Sequence, residues 1–127
     1  MIMDEINALM KRVENVTSQL GKPLSHDGYY IEDMGCPHKI PKKLPQGYGA
    51  IYIFIYGAEE SHEYLKIGMV HRNSNARYTT QHYGFSANST LAKSICEDDE
   101  FINLEVTTDN VKDWMLENLR RINILIK

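Results

Sequence analysis

Tyr52, Lys66, Arg77 and Glu117 are side chains suited to phosphate chemistry, strung along the second half of the sequence. Tyr52 lies in "AIYIFIY" (50–56) and Lys66 in "YLKIGMV" (64–70). If these runs pair as a hairpin with Tyr52 opposite Lys66, phenol and ammonium meet on one face. A cation there favours phenolate, the form that takes a proton from water as a general base. Arg77, on the next element, offers a guanidinium able to grip two phosphate oxygens and offset charge developing at phosphorus. His71, at the end of the second run, can relay a proton or hold a phosphate. Glu117 can coordinate a hard cation such as Mg²⁺. Each residue also has a plainer use. A strand tyrosine is usually core, an edge-strand lysine blunts aggregation, and a lone arginine, histidine or glutamate is usually solvated.

The elements that must position these side chains follow from periodicity. Met3, Ile6, Met10, Val13, Val16 and Leu20 recur at helical spacing and predict an amphipathic helix over 3–20, stopped by Gly21 and Pro23. This helix must pack on the domain or on a partner, and it is the candidate surface for a homodimer. Residues 21–48 read as an irregular Gly-, Pro- and Lys-rich connection. Two strands follow at 50–56 and 64–70, β-branched and aromatic in composition. Asn73-Ser74 is placed to cap a short helix through His82, and Ser89-Thr90 to open a second. "FINLEVTT" (101–108) reads as a third strand and Val111 to about Ile124 as a final helix. On a wheel of about 100° per residue, Val111, Trp114, Met115, Leu119, Ile122 and Leu125 share one face of that helix. Asn118 falls inside the face and Glu117 at its edge, so an inward Asn118 would need polar partners. The expected fold is α+β: a small antiparallel three-stranded sheet flanked by helices, ordered β-β-α-α-β-α after an N-terminal helix. Residues 1–46 form the helix and connection, and 47–127 the functional domain.

Charge narrows the partners. The chain of 127 residues carries 14 Lys and Arg against 17 Asp and Glu, a net charge of −3, which by itself argues against nucleic acid. Yet no acid occurs from Tyr64 to Cys96, where Lys66, Arg72, Arg77 and Lys93 stand with His71 and His82. Lys39, Lys42 and Lys43 lie upstream in "HKIPKKLP". Such a cationic tract suits a phosphate backbone, although a solvated helix face gives the same pattern. No apolar run approaches the ~20 residues of a membrane span, and the N-terminus lacks a signal-peptide pattern. Two cysteines, Cys36 and Cys96, suit a reduced, cytoplasmic setting, and Cys36-x-His38 has too few companions for zinc.

The same residues resemble the motifs of the GIY-YIG nuclease family. "AIY" (50–52) stands at the first tripeptide and "KIG" (66–68) at the second. Arg77 matches the family arginine and Glu117 its metal-binding glutamate, with Asn118 as supporting polar residue. The resemblance covers about 47–127. Ala50 replaces the first glycine, and Lys66 replaces the second tyrosine, as in certain restriction-type members where lysine, a nearby histidine and the arginine act together. His71 fits that role. The resemblance implies a DNA endonuclease: Tyr52, assisted by Lys66 and His71, deprotonates a water, Arg77 holds the phosphate, and Glu117 binds Mg²⁺ or Mn²⁺. Arg72, Lys93, Lys42, Lys43 and His82 would track the DNA backbone. The alternatives are a catalytically silent nucleic-acid-binding module on the same fold and an assembly subunit working through its N-terminal helix.

Overall fold

The computed structural model describes residues 1–72 and 74–127, so the expected capping role of Asn73 lies outside the described residues. Helix α1 spans Ile2–Gln19, followed by strands β1 (Tyr29–Gly35), β2 (Gly49–Tyr56) and β3 (Glu63–Val70). Four short helices come next: α2 (Asn75–Thr79), α3 (Leu91–Glu97), α4 (Asp99–Ile102) and α5 (Val111–Asn118). Strand β4 (Leu119–Ile126) runs straight on from α5. The four strands form one antiparallel sheet in the order β1-β4-β2-β3.

The α+β class and the N-terminal helix are as expected, but the sheet has four strands where three were expected. The segment 101–108 is not a strand. Asp98 caps α4 by accepting the Glu100 N–H at 2.9 Å, and the chain then leaves through Glu105 at φ +63°. Only Phe101 and Val106 of that run are buried, while Ile102 and Leu104 are half exposed, so it lacks the two-residue alternation of a strand. The third core strand is "LRRINILI" instead. Leu119, Arg121, Asn123 and Leu125 face one side and Ile122 and Ile124 the other, all of them buried. A run buried on both faces and rich in isoleucine suits the sheet interior better than a helix, and β4 pairs with β1 and β2 on its two sides. Strand β1 was also missed within the presumed connection. It is an edge strand whose only strong signal is Tyr29, Tyr30 and Ile31.

The sheet is covered on both faces. Ile2, Ile6 and Met10 of α1 pack on Ile53, Ile55, Ile122 and Ile124, each worth roughly 1.5–3 kcal/mol by burial. The opposite face, with Ala50, Tyr52, Phe54 and Leu125, packs beneath α2–α5 through Tyr78, Tyr83, Leu91, Ile95 and Met115. Both α1 and β1 come from residues 1–46 and belong to this same layered structure. Arg120 fastens one end, pairing with Asp33 at 2.6 Å and Glu59 at 2.7 Å, while Glu59 also accepts the Ile2 N–H at the start of α1. Among the described residues no helix is long and apolar enough to cross a membrane.

Candidate active site

The strand register decides which chemistry-bearing side chains share a face. Tyr52 lies opposite Gly68 on one side and Asn123 on the other, and Phe54 lies opposite Lys66 and Arg121. Directly paired residues project to the same face, as do residues two apart along a strand. Tyr52, Lys66, Gly68, Arg121 and Asn123 therefore all point to the face beneath α2–α5. Lys66 is a diagonal neighbour of Tyr52 rather than its direct partner.

Tyr52 is 1% exposed, and its hydroxyl lies 2.7 Å from Nε2 of His82, itself 2% exposed. The backbone N–H of Leu91, at the start of α3, donates to Nδ1 of His82 at 3.1 Å. A backbone N–H can only donate, so Nδ1 must be the bare nitrogen. Neutral His82 then carries its proton on Nε2 and donates it to the Tyr52 oxygen. Burial pushes the His82 imidazole down to about 4, with Arg77, Lys66 and Arg121 adding in that order. His82 is thus a neutral donor fixed on the Tyr52 oxygen. It was expected to contact DNA; the structure buries it as the partner of Tyr52.

Gly68 explains how a tyrosine fits here. A Cβ at this position would fall 2.5 Å from Cζ of Tyr52 and closer still to its hydroxyl. The phenol therefore lies directly over the glycine, which is itself partly exposed on the outermost strand.

Arg121 is 1% exposed and meets no carboxylate within ion-pair distance among the described residues. Its guanidinium donates to Tyr78 O at 2.6 Å, Asn123 Oδ1 at 2.8 Å and Tyr83 Oη at 3.2 Å. It sits 5.0–5.9 Å from the ring centres of Tyr52, Phe54, Tyr78 and Tyr83. Electron-rich ring faces substitute for a counterion. Asn123 passes the network outward by donating to Glu32 at 3.0 Å, and Tyr83 donates to Nε2 of His38, whose Nδ1–H donates to Leu119 O. Reading Val111 to about Ile124 as one helix hid these contributions. The visible signal was the alternation of Arg121 and Asn123 with Ile122 and Ile124.

The other expected cations gather near this end of the sheet. His71 and Arg77 line a cleft of about 370 Å³ with Ser74, Asn75 and Gln81. It adjoins a second, of about 230 Å³, that adds Arg72 and Lys127 and shares His71. Lys42 and Lys43 line a cleft of about 460 Å³ with Lys39, Tyr30 and Tyr78, and the loop is tied to α2 by Leu44 N–H donating to Asn75 Oδ1 at 2.7 Å. Lys93 is exposed on α3.

Glu117 and Asn118 are not brought to Tyr52. Both are exposed at the end of α5, and Asn118 donates to Trp114 O rather than entering the core. The helix ends at this residue, so the wheel that placed Asn118 inward no longer applies. Leu119 pairs with Tyr56, four strand residues and about 13 Å from the level of Tyr52. Glu117 lines a different cleft, of about 630 Å³, with Glu32, Asp33 and His38. Among the described residues no three His, Cys, Asp or Glu side chains converge as a metal-holding group. The donor set around Tyr52 does not fit the divalent ion that the resemblance implies. No family model matches the sequence, and no curated protein or solved structure is significantly similar to it.

Proposed function

We propose that the chain is a nuclease that cleaves a phosphodiester bond at the Tyr52 hydroxyl. The observation that carries this reading is the Tyr52–His82 pair. A buried phenol held by a neutral imidazole donor, seated against Gly68 and on the same sheet face as Lys66, is a tyrosine equipped to act as a base. Lys66 and Arg77 supply positive charge for a phosphate and offset what develops on its oxygens. Arg72, Lys42 and Lys43 extend that charge along the backbone of a bound strand without reading bases. DNA is the substrate that the resemblance implies, and no step is routed through a metal because the carboxylates stand elsewhere.

A second reading, the silent nucleic-acid-binding module, is favoured by one fact: Tyr52 is 1% exposed. Incubation of the purified chain with labelled DNA and RNA, beside Lys66→Met and Arg77→Gln, separates the two. Cleavage that both substitutions suppress supports the nuclease. Salt-sensitive binding without any cleavage supports the module and refutes the nuclease.

A further inference from the structure

Gly68, Lys66, Arg77 and His82 all come from the acid-free stretch 64–96, and the sheet brings no carboxylate to their side of Tyr52. Glu63 pairs with Tyr56, about 13 Å along the strands from Tyr52, and Glu117 lies on α5 in the separate cleft with Asp33 and His38. Glu32 shares the level of Tyr52 but sits two strands away, with β4 between them. The hydroxyl of Tyr52 leans the opposite way, over β3. A phosphate approaching over Gly68 would thus meet a tyrosine and cations but no metal ligand.

Such a set is poorly matched to cutting DNA. That reaction needs a water to be activated and a poor leaving oxygen to be stabilised, tasks usually given to a metal ion. RNA carries its own nucleophile, the 2′-hydroxyl, within bonding reach of phosphorus. Given a nuclease site at Tyr52, on which this rests, we propose that its substrate is RNA and its reaction metal-independent transesterification. Tyr52 phenolate takes the proton of the 2′-hydroxyl, and the 2′-oxygen forms a bond to phosphorus. The bond from phosphorus to the 5′-oxygen breaks, and that oxygen takes a proton from the Lys66 ammonium. Arg77 neutralises the non-bridging oxygens throughout. The products are a 2′,3′-cyclic phosphate and a 5′-hydroxyl end, and proton exchange with solvent restores Tyr52 and Lys66. Atoms and charge balance without water, metal or co-reactant.

The test compares an RNA oligonucleotide with its all-deoxy counterpart, each in excess EDTA and in Mg²⁺, using the whole chain. The expected result is RNA cleavage in EDTA that leaves 2′,3′-cyclic phosphate ends, no DNA cleavage, and a loss of about 100-fold or more in Tyr52→Phe. Lys66→Met, at a partly exposed position, should lose activity with its circular dichroism spectrum unchanged. Cleavage of DNA, or cleavage that EDTA abolishes and Mg²⁺ restores, overturns this inference and leaves the nuclease reading standing. No cleavage of either substrate under any condition overturns both. RNA cleavage undiminished in Tyr52→Phe overturns the assignment of the reaction to this site.

Discussion

Replacing Gly68 by alanine should be among the costliest single-carbon additions in the protein. The new Cβ would fall 2.5 Å from Cζ of Tyr52 and 2.9 Å from Cε2, so the ring must move. Tyr52 is packed between Phe54, His82 and Arg121, with ring centres 4.9 Å away at His82 and 6.1 Å at Phe54. Overpacking of this kind costs about 1–3 kcal/mol. Moving the ring also breaks the 2.7 Å bond to His82 and leaves a buried N–H unpaired, another 1–3 kcal/mol or so. Against this, alanine recovers only about 0.4–1 kcal/mol by restricting the unfolded chain. The net loss expected is about 1–5.5 kcal/mol, read as a shift in the urea midpoint at unchanged slope. Gly84→Ala is the control, because a Cβ there meets nothing within 4 Å and its φ of −146° is ordinary extended backbone. A Gly68→Ala variant within about 0.5 kcal/mol of wild type would refute the placement of Tyr52 over this glycine.

His82 should leave a signature in the pH dependence of stability. Because burial holds its folded value near 4 against 6.5 for the free group, the unfolded chain takes up the proton first. Stability should therefore fall as pH drops from 6.5 towards 4 and stay level above that window, with His82 contributing up to about 3 kcal/mol. Urea unfolding of His82→Gln at pH 4.5 and 7.5 should show a smaller difference than wild type, and an equal difference would count against a buried neutral imidazole. Arg121→Lys should cost about 2–3 kcal/mol, since one ammonium cannot serve three acceptors in a planar fork; retention of full thermal stability would contradict the network. Nucleic-acid affinity should fall with salt, and Lys43→Ala should lower the slope of log affinity against log salt by about one. An unchanged slope would remove that loop from the binding surface.

How much of this was legible in the sequence differs by element. The β2–β3 hairpin was read correctly because 50–56 is an unbroken apolar run and Leu65, Ile67 and Met69 alternate in 64–70, and α1 because its apolar spacing is regular. The last segment misled for a physical reason. Val111, Met115, Leu119 and Ile122 fit a helical face, while Arg121, Asn123 and Leu125 alternate with isoleucines as a strand, and two overlapping periods met at Asn118. That one error carried Glu117 and Asn118 into the site and kept Arg121 and Asn123 out. Tyr52, Lys66, Arg77 and His71 were readable as chemical types near one another in sequence. His82 was also seen, but as one more cation; its neutral state follows from burial and from the Leu91 N–H, which only the fold supplies. Strand β1 needed the fold as well, because an edge strand with Glu32 and Asp33 in it looks like loop.

If the Tyr52 hydroxyl performs the cleavage, the single-turnover rate of Tyr52→Phe must show it. Phenylalanine keeps the ring over Gly68 and removes only the oxygen that His82 holds. With the fold confirmed intact, cleavage should run about 100-fold or more below wild type. A rate within about a factor of two of wild type on the same substrate would contradict it.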